Sequence, residues 1–374
     1  MTTQDKALSE KAARAIAQVL LRVFGYDKEI RLMFATSFAG AHVLIEGVPG
    51  LAKTLIAKTI TDIFTDAILG RVQGSPDLMP GEILGFEVFN PKTGEWEARK
   101  GPIQGVHILF YDEMNRSSTK TNASTLQALQ EGSVTVAGKQ IPLLKPFWAI
   151  ATENPIEQEG TFQLPEAQAD RFGAKIVLRY VSEENELIML ESDEEVPVEQ
   201  VMSIADLVEI KTIVKANGNA VPNSLKRYII RLVRSTRPQD PRFDLAWADE
   251  AADLRKRIAY GAGPRAEKAL LSIATGWAFT DGRDKPDAAD VKEVFAAVLR
   301  HRFVLTPFGS ASRFDVDVFL ENLLKKVPIN EGELASISSG AQKIPQGLPK
   351  AGKSGFRWPN LWRNWGGRKD DKAA

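Results

Sequence analysis

The chain has no cysteine in its 374 residues. That excludes disulfides, iron–sulfur clusters, thiolate zinc sites and cysteine nucleophiles. Imidazole is almost as scarce: His42, His107 and His301 are the only histidines, and they lie far apart. Each reads as a local packing or capping residue rather than a metal ligand. Net charge is missing too, since 48 Lys and Arg balance 48 Asp and Glu. There is thus no global electrostatic case for a nucleic-acid partner. No apolar run approaches the roughly 20 residues that cross a bilayer. The opening stretch MTTQDKALSEKAARAIAQVL interleaves acids and bases, whereas a secretory leader has a basic start and an apolar core. A cytoplasmic protein is the expectation.

What is present is ordinary for a soluble globular chain: 44% hydrophobic and 26% charged residues. The length predicts two or three domains. Residues 7 to 38 read as helical, with Ala12, Ile16, Val19, Leu20 and Val23 at helical spacing. A short apolar run, His42 to Glu46, then meets Gly47, and Lys53 to Phe64 resumes the helical period. Phe86 to Phe89 and Trp96 to Arg99 flank a five-residue turn, Asn90 to Gly94, as in a hairpin. A second hairpin is expected at Val134 to Val136 and Ile141, around Ala137-Gly138-Lys139. Val106 to Tyr111, Pro146 to Thr152 and Lys175 to Leu178 are strands without polar alternation, as in a parallel sheet covered on both faces. An α/β domain over residues 1–180 follows, with a helical segment at 1–38. Residues 181–308 carry four helical patterns and read as a smaller all-α domain. Residues 309–374 form an extension, helical at first and then basic and tryptophan-rich.

Gly47-Val48-Pro49-Gly50-Leu51-Ala52-Lys53-Thr54 lies between a buried strand and a helix, where a phosphate-binding loop belongs. Glycines let backbone N–H groups close around phosphate oxygens, and the helix start adds its dipole. Lys53 would reach the β- and γ-phosphates, and Thr54 would offer its hydroxyl to Mg²⁺. Ala52 stands where the strict pattern has glycine, and strand–turn–helix units also occur without any nucleotide. Ile108 to Tyr111 is an apolar strand ending in Asp112 and Glu113, 58 positions beyond Thr54. In a phosphate-loop ATPase the first carboxylate holds Mg²⁺ and the second polarises the attacking water. Read alone, it is an acidic turn. Asn154, after another strand, could orient water near a γ-phosphate; Asn-Pro is equally a plain turn. Arg171 precedes the last strand, and Arg265 opens a later helix. A distant arginine can stabilise transition-state charge, although most single arginines are surface residues.

Taken in order, these pieces resemble the MoxR family of AAA+ ATPases from about residue 20 to 308. The specific stretches are GVPGLAKT, DEMNRSSTKTNASTLQALQEGSVTVAG and ATENPIEQEGTFQLPEAQADRF, with GFEVFNPKTGEWEARKGPI and VLRHRFVLTP in support. The resemblance implies an AAA+ domain with a parallel sheet, then an all-α lid. It implies that Gly47 to Leu55 wrap ATP, that Thr54 and Asp112 hold Mg²⁺, and that Glu113 activates water. It makes Asn154 the sensor, Arg171 the finger acting on a neighbour's ATP, and Arg265 the second sensor on the lid. A trans-acting finger implies a homo-oligomer, typically a hexameric ring. The family implies chaperone-like work on client complexes, often metalloenzymes, with a partner carrying a von Willebrand factor A domain. Glu153 departs from the more usual glutamine, and Gly263 from the more usual serine.

A nucleotide-gated scaffold and a nucleic-acid motor are the competing classes. Retention of Lys53, Asp112, Glu113 and Arg171 argues against the first, and the zero net charge against the second. In the tail, Trp358, Leu361, Trp362 and Trp365 recur at helical spacing with arginines nearby. This is either a mobile or lid-packed segment, or an element docking a protein partner or making peripheral membrane contact.

Overall fold

A computed structural model describes residues 2–155, 164–191 and 196–329. The tryptophan-rich tail lies outside the described residues. Helix α1 (Thr3–Leu20) opens on a capping box, in which Thr2 accepts from the Asp5 N–H while the Asp5 carboxylate accepts from Thr2. The expected single helical stretch is in fact two helices, because the chain turns before α2 (Asp27–Phe38). Gly25 makes that turn at φ +76°, and a Cβ there would lie 2.8 Å from the Val181 side chain.

Strand β1 (Val43–Glu46) leads through a loop into α3 (Lys53–Asp62), and then comes β2 (Leu69–Gln73). The sequence pattern did not place β2. Its LGRVQ text exposes Arg71 and Gln73 on one face, as befits a sheet edge. Helix α4 (Pro80–Leu84) precedes the hairpin β3 (Gly85–Asn90) and β4 (Glu95–Lys100). The hairpin turn is one residue shorter than expected, because Asn90 pairs with Glu95.

The core resumes with β5 (Ile108–Asp112), α5 (Thr119–Glu131) and a second hairpin, β6 (Ser133–Val136) and β7 (Lys139–Pro142). Ala137 and Gly138 both take positive φ in its two-residue turn. Strand β8 (Trp148–Glu153), α6 (Glu166–Ala169) and β9 (Ala174–Val177) complete the α/β part. Five strands form one sheet in the order β2-β5-β8-β1-β9, every neighbouring pair parallel. β5 and β8 are buried along their whole length, so nothing in them alternates.

Helices α7 (Glu183–Glu191), α8 (Ile204–Asn219), α9 (Asn223–Arg234), α10 (Phe243–Trp247) and α11 (Ala251–Arg257) follow. Short β10 (Ile258–Tyr260) leads to α12 (Pro264–Thr280) and α13 (Ala288–Leu299). Then β11 (Val304–Leu305) pairs with β10, before α14 (Pro307–Ala311) and α15 (Val316–Lys326). Residues assigned above to the extension thus supply α15, whose Phe319, Leu320 and Leu323 are buried. Phe319 stacks on Trp247 with ring centroids 4.7 Å apart. Helical spacing over Ala246 to Tyr260 predicts one helix, but the stretch is divided between α10 and α11, and Ile258 to Tyr260 pair with β11.

Helix α2 packs along α12, so the first helices and the later ones share one apolar core. Gly276 permits this approach: a Cβ there would sit 2.4 Å from the Ala35 carbonyl oxygen. Gly276→Ala should therefore shift the thermal or urea midpoint downwards by about 1–3 kcal/mol, as overpacking does.

His42 precedes β1, and its Nδ1 accepts the Ala149 N–H at 3.1 Å. Burial, and secondarily Lys211, lower its pKa from 6.5 to about 4. Between those values the unfolded chain binds a proton that the native one refuses, so stability falls as pH drops from 6.5 towards 4. His301 acts in the same direction, through burial first. In a melting series over that range, His42→Gln should flatten the acid slope without abolishing it.

Candidate active site

Beyond Glu46 the chain cannot continue as strand, because Gly47 to Ala52 fold back to start α3 at Lys53. Gly50 does so at φ +88° and Ala52 at φ +52°. Ala52 thus adopts the left-handed conformation that a glycine would take freely, at a cost of roughly 1–2 kcal/mol. Strain of this kind gathers at functional loops. The first N–H groups of α3 have no partner within the helix and face this loop.

Lys53 is 8% exposed. Its ammonium donates to the Gly47 carbonyl at 2.5 Å and reaches the Glu153 carbonyl at 3.4 Å. Burial lowers its pKa, against the opposing pull of Asp112, Glu113, Glu153 and Glu46. The Thr54 hydroxyl lies 3.3 Å from Asp112 Oδ2, so the two residues meet as expected. Arg71 approaches the same carboxylate at 3.4 Å.

Glu113 leaves β5 in a left-handed conformation, φ +49°. Its carboxylate accepts from Gln73 at 3.1 Å and from Arg116 at 2.9 Å. Gly74 lies beside it, where a Cβ would sit 2.0 Å from the Glu113 carbonyl oxygen. Asn154 is held by a backbone exchange with the Asn115 side chain, 3.2 Å to its N–H and 2.9 Å from its carbonyl.

Several residues here were not legible as site residues. The Thr152 hydroxyl donates to Asp112 Oδ1 at 2.7 Å and accepts the Glu113 N–H at 2.8 Å. One side chain therefore orients both carboxylate residues. Lys175 bridges Glu46 and Glu153, at 2.6 Å to each, under the phosphate loop. Burial raises the pKa of Glu153, and Lys175 opposes it. Thr152 sits in a strand pattern and Lys175 beside a glycine turn, so neither carries a motif.

Beside Pro49 to Ala52 opens a cavity of about 490 Å³, walled by Val23, Phe24, Tyr26, Tyr180 and Val181. Its mixed aromatic and aliphatic lining suits a planar base next to the phosphate loop.

The two arginines lie elsewhere. β1 and β9 are parallel, with Val43 opposite Ala174 and Glu46 opposite Val177. Lys53 follows the end of β1, whereas Arg171 precedes the start of β9. At least about 10 Å of strand separates the two ends. Arg265 joins the Arg171 end, its guanidinium 2.6 Å from Asp170. Arg171 and Arg265 both line a separate cavity of about 420 Å³ with His42, Lys268 and Arg302. The expected residues thus form two groups: Lys53, Thr54, Asp112, Glu113 and Asn154 at one end of the sheet, Arg171 and Arg265 at the other.

Residues 42–174 match the model of the ATPase family associated with various cellular activities (AAA), and residues 250–319 match the AAA lid domain. Chaperone MoxR1 of Mycobacterium tuberculosis is 35% identical over 84% of this chain and 81% of its own length. The chain belongs to the MoxR family of AAA+ ATPases. The uncharacterized protein YeaC of Bacillus subtilis is also 35% identical, over 80% of this chain and 89% of that protein. Protein MoxR of Methylorubrum extorquens is 27% identical over 82% and 91%. A crystal structure from Cytophaga hutchinsonii, of a protein assigned as an ATPase, superimposes with TM-score 0.77 at 34% identity, covering 88% of this chain and 98% of that one. In this MoxR-family chain the AAA and lid matches coincide with the sheet and the later helices.

Thr152→Val tests the bridge between the two carboxylate residues. It strands a buried Glu113 N–H and leaves Asp112 a partner short, at a cost of about 1–3 kcal/mol. Turnover of ATP should fall by about tenfold or more while nucleotide binding persists. An unaltered rate in a steady-state assay would remove Thr152 from the machinery.

Proposed function

We propose that this chain hydrolyses Mg-ATP within a ring of its own copies, and that turnover remodels or matures client protein complexes. The observation that carries the reading is the separation of Lys53 and Glu113 from Arg171 and Arg265 by the length of the sheet. Arginines placed off the starting end of β1 cannot serve a nucleotide held off its finishing end. They can serve a second copy docked against that end.

The base of ATP fits between Phe24, Tyr180 and Val181, and the phosphates fit the loop from Gly47 to Leu55. Lys53 exchanges the Gly47 carbonyl for phosphate oxygens. Thr54 and Asp112 fit Mg²⁺, a cation that takes one or two protein oxygens beside phosphate and water. Among the described residues no cluster of three or more His or acidic groups could hold a metal by protein alone. When bound, the cation neutralises charge growing on the β- and γ-oxygens. Glu113, released from Arg116, accepts the proton of the attacking water. Asn154 orients that water, and Arg171 and Arg265 of the adjoining copy meet the charge that develops.

Work on a partner needs exposed surface that moves with the ring. The hairpin β3–β4 offers it: Phe89 and Trp96 are 48% and 67% exposed, with ring centroids 5.6 Å apart. A relative named as a chaperone supports a protein client. A hexameric ring and a partner carrying a von Willebrand factor A domain follow the family pattern, in the cytoplasm. The described helices include none long and apolar enough to cross a membrane.

The test is steady-state hydrolysis across a protein dilution series. Specific activity should rise with concentration, Glu113→Gln should bind ATP without turnover, and Arg171→Ala should lose about 10³-fold in rate. Concentration-independent turnover, or a wild-type rate from Arg171→Ala, would falsify the trans reading.

A further inference from the structure

The cavity that holds the two arginines gathers four cations: Arg171, Arg265, Lys268 and Arg302. Among the described residues Asp170 is the only acid in its lining. That carboxylate is divided between two arginines of the helical half. Its Oδ2 takes Arg265 Nη1 at 2.6 Å, and its Oδ1 takes Arg302 Nε at 2.8 Å.

Arg302 is an anchor rather than a surface charge, for its side chain is 2% exposed. It donates to the carbonyls of Phe172 at 2.7 Å, Gly173 at 3.2 Å and Val298. His301 adds a contact to the same Phe172 carbonyl at 3.1 Å. The segment carrying Arg171 is thereby fastened to the turn that follows α13. Its close fit shows at Gly173, where a Cβ would lie 2.5 Å from Ala41.

Arg265 is different, because its side chain is 53% exposed and, among the described residues, Nη1 alone is engaged. It lines the same cavity as Arg171. Among the described residues the Arg171 side chain makes one long contact, 3.4 Å to the Ala123 carbonyl. A charge-assisted bond to one edge of a guanidinium fixes the direction of the other edge.

We infer that Asp170 is a positioning residue for hydrolysis in the adjoining copy, holding the lid arginine Arg265 beside the finger Arg171 through its bridge to the buried Arg302. The inference rests on the trans reading above. It makes the two arginines one unit, so that a shift of α12 and the turn at Arg302 moves the finger. Asp170 lies at the end of the sheet opposite Lys53 and Glu113.

Asp170→Asn should lower kcat by about 10- to 100-fold, within the span that displaced catalytic geometry produces. ATP affinity in the same copy should stay within about threefold, since the nucleotide site lies at the other end of the sheet. The deciding readout is complementation. Glu113→Gln copies keep intact arginines, and Asp170→Asn copies keep an intact nucleotide site. Mixing these two impaired variants should raise turnover above that of either alone, to the level reached by mixing Arg171→Ala with Glu113→Gln. Asp170→Glu keeps the charge beside Arg302, and is used if the asparagine variant melts early. It should show an intermediate rate that the same mixing restores. If the Arg171→Ala mixture recovers and the Asp170 mixtures stay at background, Asp170 acts structurally within its own copy and the inference falls. If no mixture recovers, the trans reading falls and takes the inference with it. A wild-type rate from either Asp170 variant alone also overturns it.

Discussion

The hydrogen bonds joining β1 to β8 on one side and to β9 on the other align three strand ends. Because the strands are parallel, the sheet has two unlike ends. At the finishing end, Gly47, Glu153 and Leu178 leave the sheet together, and the turn into α3 forms above them. Lys53 touches two carbonyls there, one from its own loop and one from β8. At the starting end, Phe172 and Gly173 meet the helical half through His301 and Arg302. Lys53, Asp112 and Glu113 are thereby held apart from Arg171 and Arg265 by the covalent direction of the strands.

A bridging charge is used at both ends. Lys175 lies between Glu46 and Glu153 below the loop, while Asp170 lies between Arg265 and Arg302 opposite. Such groups contribute little net stability, because desolvation offsets most of the attraction. Their effect is on geometry: each central residue sets the position of two partners from different elements. Glu153 in place of glutamine fits this account, because a carboxylate gives Lys175 a second anionic partner.

Motif residues were legible because phosphate chemistry constrains residue type and spacing along short segments. Lys53, Thr54, Asp112 and Glu113 could be read singly and were brought together as expected. The tightly covered strands β5 and β8 were legible from unbroken apolar text. Edge strand β2 was not, since only one of its faces is covered. Thr152 was hidden because a hydroxyl inside a strand becomes a bridge only when the neighbouring strand is in register. The cavity beside the phosphate loop was hidden for a related reason: Phe24 and Tyr180 are distant in sequence and line it together only in the fold.

By itself, then, the sequence determined the family, most of the covered strands and the phosphate-loop motif, because local spacing dictates turns, helix starts and apolar strands. It named Arg171 and Arg265 as isolated arginines with roles taken from resemblance. Only the tertiary structure decided that both lie off the starting ends of the strands, that Asp170 pairs with Arg265 and Arg302, and that α2 shares a core with α12. These facts depend on strand direction, register and helix packing between residues far apart in the chain, which no short window of sequence specifies.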